Sequence, residues 1–252
     1  TSRKEIVTDF YPMDGILAGI LEFQYVASRE GSDRRKTENM KSKQKTKNMV
    51  LLALFGCIEI VLMLTPLGYI PIGPVRATTL HIPVILAGVL MGPGAGSAVG
   101  LIFGISSVIV NTLTPTITSF VFSPFYSVGE FHGGLASLVI ALGPRILLGW
   151  LSGVMFNLMM KATKKVNASL LFSALISTFL HTTLVMLGIY FFFGSAYAAV
   201  KGVALSGLAA LLLGVVMTNG IMEMVIGALI VLAVGRALMP LTKGYRKASS
   251  AN

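Results

Sequence analysis

The chain has 252 residues, 54% of them hydrophobic and only 12% charged, with a mean hydropathy of +0.81. Soluble domains carry about 25% charged residues, so a soluble fold is excluded, and long continuous apolar runs make this an all-α integral membrane protein. A net charge of +10 would suit nucleic acid, but the placement of the basic residues, given below, excludes that partner.

In chain order, residues 1–39 stand apart. They hold Glu5, Asp9, Asp14, Glu22, Glu30, Asp33 and Glu38, whereas only Glu59, Glu130 and Glu223 follow. The run Met40-Lys41-Ser42-Lys43 looks like a natural start. Residues 1–39 are therefore expected to be tag- or vector-derived or an upstream extension, and 40–252 to be the transmembrane domain. The alternative is an amphipathic element with Ile16, Leu17, Ile20 and Leu21 on one face.

Six spans are expected, over residues 48–66, 80–91, 94–112, 133–159, 169–193 and 208–238. A crossing helix needs about 20 residues, so the second is too short to cross fully. Lys41, Lys43, Lys45 and Lys47, then Lys161, Lys164 and Lys165, then Arg236, Lys243, Arg246 and Lys247 all fall on one side of such a bundle. The positive-inside rule makes that side cytoplasmic and puts both native termini there. Arg76 and Lys201 lie opposite.

Residues 71–100 begin as a loop broken by proline and glycine, carry Arg76, Thr78, Thr79 and His81, and continue into an apolar hairpin turning at residues 92–94. Irregular backbone at membrane depth must be buried in protein or line a cavity, so this stretch reads as half of a ligand site. Residues 113–132 contain no Lys or Arg but do contain Phe120, Phe122, Phe125 and Tyr126. A long aromatic loop of this kind is expected to close over the mouth as a lid.

No phosphate-binding loop and no hydrolase or zinc-protease motif is present, so neither ATP hydrolysis nor a cofactor is expected of this chain. Cys57 is alone, and His81, His132 and His181 lack ligand spacing, so no metal site is expected. Polar residues inside spans are functional candidates. Arg145 follows Pro144. Its guanidinium is satisfied by carbonyls the proline frees, or by Glu223 or Glu59, or it anchors an anion. Its position mid-way along the fourth span makes Arg76 the better placed of the two for a ligand carboxylate. Asn219 shares a helix face with Glu223, and Ser177 with His181. The expected small-molecule site comprises Arg76, Thr78, Thr79, His81, Asn111, Thr112, Phe122, Tyr126, His181 and Asn219. Ala53, Gly56 and Cys57 give the first span a small-residue face that another helix can approach. Gly94, Gly96, Gly100 and Gly104 are expected to serve tight internal packing.

The His81–Gly96 pattern H-I-P-V-x-x-A-G-x-x-x-G-P-x-x-G, the run P-R-I-L-L-G-W at Pro144–Trp150, the basic leader and the six spans resemble the substrate-binding S subunits of energy-coupling factor (ECF) transporters, bacterial vitamin importers. Asn111–Pro115, Phe120–Phe125 and Thr218–Glu223 are most similar to the pantothenate-specific subunits. The resemblance implies an S-component fold with an outward-facing pocket covered by loops, in the bacterial cell membrane. It implies pantothenate as the bound vitamin, no catalysis, and docking on a membrane scaffold subunit driven by two cytoplasmic ATPase subunits. It also implies transport by toppling of the whole subunit, and docking through an A-x-x-x-A row that here reads Ala53 to Cys57. Other readings are an S subunit for folate, hydroxymethylpyrimidine or riboflavin, a stand-alone secondary transporter, or an intramembrane enzyme using Glu59, Glu223 and His181.

Overall fold

The computed structural model describes the backbone of residues 15–72 and 75–249, and the side-chain surroundings of residues 20–40, 42–68 and 78–240. The chain divides into two compact units, Thr1–Lys47 and Asn48–Asn252. Helix α1 runs Gly15–Leu64, so it begins well before the expected first span and passes residue 40 without interruption. A 3-10 turn at Pro66–Gly68 leads to two antiparallel strands, β1 (Tyr69–Ile72) and β2 (Val75–Thr78). Tyr69 pairs with Thr78 and Pro71 with Arg76. Pro71, which marks a loop in the sequence, thus lies in a paired strand.

The remaining helices are α2 (His81–Met91), α3 (Pro93–Leu113), α4 (Leu135–Thr163), α5 (Val166–Lys201), α6 (Leu205–Val215) and α7 (Ile221–Ser249). Among the described residues, five helical stretches are long and apolar enough to cross a membrane: Ile20–Leu64, Pro93–Leu113, Leu135–Thr163, Val166–Lys201 and Leu205–Pro240. With the shorter α2 they match the six expected spans. Leu64, Leu113, Leu135 and Phe191 present their side chains outward, as a lipid-facing surface requires.

Local chemistry explains the joints. Pro83 sits in the first turn of α2, where its missing N–H has no helical partner to lose. Gly92, at φ 101°, ends α2, and Pro93 starts α3 at the position proline favours. Gly202, at φ 67°, closes α5, with Val203 N donating to Ala198 O at 3.0 Å and Gly202 N to Ala199 O at 3.1 Å. These are the two bonds of a Schellman cap. Two departures from regular helix were not visible in the sequence. Helix α5 kinks at Phe193 (φ −130°, ψ 17°), and a π-helical turn at Val216–Gly220 joins α6 to α7.

The core is organised on α3 and α4. A Cβ on Gly96 would collide with Gly149 O, one on Gly100 with Arg145 O, and one on Gly104 would press on Ala141 and Leu142. Three positions spaced four residues apart on α3 therefore meet three positions spaced four apart on α4, backbone against backbone. Gly88 and Gly153 bring α2 into the same seam. Gly94 has open space around it and takes no part, so the expected glycine row packs from Gly96 onward.

Between α3 and α4, residues 114–134 form the expected long loop. It holds a 3-10 turn (Ser119–Val121) and two paired dipeptide strands, β3 (Ser127–Val128) and β4 (Phe131–His132). Phe120 and Val121 are fully buried. The loop is therefore a packed element with its own apolar contacts to α4, α5 and α6 residues such as Ile140, Val185 and Leu208.

Candidate functional site

The site grows from one backbone defect. Pro144 lies inside α4 and has no N–H, so Ile140 O loses its normal partner four residues on. Arg145 Nη1 donates to that oxygen at 2.6 Å. The side chain is buried, and its position is fixed twice: by the proline-freed carbonyl, and by the Gly100 contact that holds its own backbone. The guanidinium carbon lies 5.4 Å from the Phe103 ring centre and 5.1 Å from that of Phe122, both within cation–π range. Phe103 comes from α3 and Phe122 from the long loop. The loop thus folds far enough inward to reach Arg145, and depth along the span does not remove this arginine from the loops.

Helix α5 supplies the neighbouring groups. The His181 ring is 6.3 Å from Phe103, centre to centre, and lies within electrostatic range of Arg145 and His81. Ser177 is one turn before it on the same face. Ser177 Oγ, Thr178 Oγ1, Thr183 Oγ1, His181 Nε2 and His81 Nε2 are all buried without a hydrogen-bond partner. Each such group costs about 1–3 kcal/mol, so buried polar groups in native proteins are nearly always satisfied. His181, against Phe103, shares one face of α5 with Ser177, whereas His81 Nε2 faces Gly227 of α7.

The other expected site residues fall into three groups. Thr78 donates through both its N–H and its hydroxyl to Glu223 Oε1, each at 2.9 Å, tying the end of the β-hairpin to α7. His81 is packed against Gly227 one turn further along α7, and Thr79 Oγ1 donates to Leu67 O at 2.7 Å. Asn111 and Thr112 face the long loop: Ser119 Oγ donates to Asn111 Oδ1 at 2.8 Å, and the Thr112 and Ser123 hydroxyls are 2.7 Å apart. Tyr126 is half-buried in the apolar cluster under that loop. Asn219 lies in the π-helical turn, where its Oδ1 accepts from Thr218 Oγ1 at 3.3 Å. The Arg76 side chain lies outside the described residues, although its backbone pairs with Pro71.

Sequence reasoning left Phe103, Thr178 and Thr183 unremarked. Phe103 looks like any apolar residue in an apolar helix, and only its place one residue before Gly104 in the packing row hints at α4. On α1, Ala53 and Cys57 are exposed, whereas Gly56 is buried against Ile102 of α3. The small residues therefore serve two faces. Glu59 is also fully buried on α1, and both of its oxygens lack a partner. Among the described residues, no three His, Cys, Asp or Glu side chains group as a metal site would need.

This arrangement can hold a small molecule with one anionic end and several neutral polar groups. The family model for the substrate-specific component of ECF transporters matches residues 47–235. The chain belongs to this family. Two curated relatives extend the match. The pantothenic acid transporter PanT of Lactococcus lactis subsp. cremoris is 35% identical over 199 residues, 78% of this chain and 95% of that protein. The pantothenate transporter PanT of Leuconostoc mesenteroides subsp. mesenteroides is 29% identical over 215 residues, 80% of this chain and 97% of that protein.

Proposed function

We propose that this ECF substrate-specific component binds pantothenate and has no catalytic activity of its own. The observation that carries the reading is Arg145, a buried cation against the Phe103 and Phe122 rings, with the unsatisfied His181 imidazole on the other side of its contact to Phe103. Pantothenate has one carboxylate for the guanidinium, an amide and two hydroxyls for the neutral groups, and a gem-dimethyl carbon for the apolar walls. The two PanT relatives support the same substrate.

In this reading Arg145 meets the carboxylate, His181 and Phe122 line the ligand, and Asn111 and Thr112 act through the loop they fasten. Thr78, Thr79, His81, Tyr126, Asn219 and Arg76 belong to the surrounding walls and entrance. Transport follows from docking on a membrane scaffold subunit with two cytoplasmic ATPases, with the exposed Ala53 and Cys57 on the docking face, and from toppling of the whole subunit in the bacterial cell membrane. The basic clusters of the leader, the α4–α5 junction and the tail support a cytoplasmic side for both native termini. Residues 40–252 form the transport domain, and residues 1–39 lie outside it.

Calorimetry of the purified chain against a vitamin panel, without nucleotide or partners, tests the substrate. Pantothenate is expected to bind and folate, riboflavin and hydroxymethylpyrimidine not to. Binding of another vitamin in its place rejects the reading.

A further inference from the structure

Helix α5 carries a series of buried hydroxyls that behave in two ways. Ser169 Oγ donates to Lys165 O at 2.9 Å and Ser173 Oγ to Leu170 O at 3.0 Å. This is the usual fate of a serine inside an apolar helix, where the preceding turn supplies the only acceptor. Ser177 breaks the series. It is fully buried, one turn beyond Ser173, yet its hydroxyl makes no bond to the helix or to any neighbour. The next residue on that face, His181, likewise has a buried Nε2 with no partner. The two share one helix face, and the His181 ring lies against Phe103 within electrostatic range of Arg145. A serine that could bond back to its own helix but does not is oriented toward something else.

We infer that Ser177 and His181 form a specificity subsite that reads a hydroxyl group of the ligand, separate from the charge contact at Arg145. The inference rests on the reading of pantothenate as substrate. The chemistry fits a hydroxyl better than a second anion or an ammonium. A serine hydroxyl and an imidazole nitrogen can each donate or accept, and a ligand hydroxyl does both. His181 also lies within electrostatic range of the Arg145 guanidinium, which disfavours a cationic group. The Arg145 and Ser177–His181 positions together would accept the carboxylate of pantothenate at one end and the hydroxyls of its pantoyl half at the other.

The test is a cycle between protein and ligand, measured by calorimetry on the full chain in detergent. The protein variants are Ser177→Ala and His181→Asn. The ligands are pantothenate and two analogues, each lacking one hydroxyl. A hydrogen bond to a buried partner is expected to shift affinity by roughly 3- to 20-fold. Ser177→Ala should therefore weaken pantothenate by that factor, but leave unchanged the analogue whose missing hydroxyl it contacts. His181→Asn should repeat the pattern, and thermal unfolding without ligand shows whether each variant is folded. If both variants weaken all three ligands equally, or none, the subsite does not exist. If wild-type protein does not bind pantothenate at all, the substrate reading fails and the subsite falls with it. Pantothenate binding with a flat cycle overturns the subsite alone.

Discussion

The α3–α4 seam and the polar pocket beside it are built on opposite principles. In the seam, Gly96, Gly100 and Gly104 let two helices touch backbone to backbone, with no side chain between them. Where α2 joins, Ser152 bonds its hydroxyl back to Gly149 O at 2.9 Å. Around Arg145, side chains from α3, α4, α5 and the long loop converge (Phe103, Arg145, His181 and Phe122), and on α5 His181 and Ser177 leave polar atoms unsatisfied. The first region spends its sequence on stability and the second on readiness to bind. They meet at Arg145, whose backbone is held by the seam and whose guanidinium belongs to the pocket. The Gly100 contact and the Ile140 carbonyl together fix the position of the buried charge.

The largest effect should come from breaking the seam. Gly149→Leu forces a side chain into Gly96 and should destabilise the protein by about 3 kcal/mol or more, read as loss of folded protein or a steep fall in melting temperature in detergent. Gly94→Ala, on α3 with Gly96 but facing open space, should change stability by no more than about 0.5 kcal/mol. Equal damage from the two would mean that the seam is not a special contact.

Next in size is the charge. Arg145→Gln should lower pantothenate affinity by about 100-fold, since a buried charge-assisted bond is worth roughly 1.5–3 kcal/mol. Phe122→Ala should follow with about a 10-fold loss, from the missing cation–π contact, seen as faster release in stopped-flow or surface-based kinetics. The smallest effect is expected at the hairpin. Thr78→Val removes the hydroxyl bond to Glu223 but keeps the N–H bond, so it should cost about 1 kcal/mol. If Thr78→Val exceeded Arg145→Gln in its effect on binding, the hairpin and not the pocket floor would govern the site.

Most of the fold was legible because it depends on local or periodic signals. Apolar run lengths gave the spans, the Gly92-Pro93 pair gave the turn between α2 and α3, and the four-residue glycine spacing gave the seam. The hairpin at Tyr69–Thr78 was hidden because its pairing overrides residues that ordinarily signal loop. The helix through residue 40, the kink at Phe193 and the π-turn at Val216–Gly220 carry no sequence mark of comparable strength.

The site was less legible for a different reason. Arg145 was open to two readings: the carbonyl freed by Pro144 holds the guanidinium, as the structural reading expects, and the anion anchor is our proposal. Phe103 cannot be told from its apolar neighbours without knowing what α4 places opposite. Ser177 cannot be told from Ser173 until each hydroxyl's partner is known.

The central claim is that Arg145 is the group that recognises the ligand's negative charge. It is tested most directly by calorimetry with pantothenate and with its neutral analogue, in which an alcohol replaces the carboxylate, on wild-type and Arg145→Gln protein. The wild type is expected to prefer pantothenate by about 100-fold, and the variant to bind both compounds weakly and equally. A variant that keeps the preference for pantothenate would place the charge contact elsewhere and contradict the account.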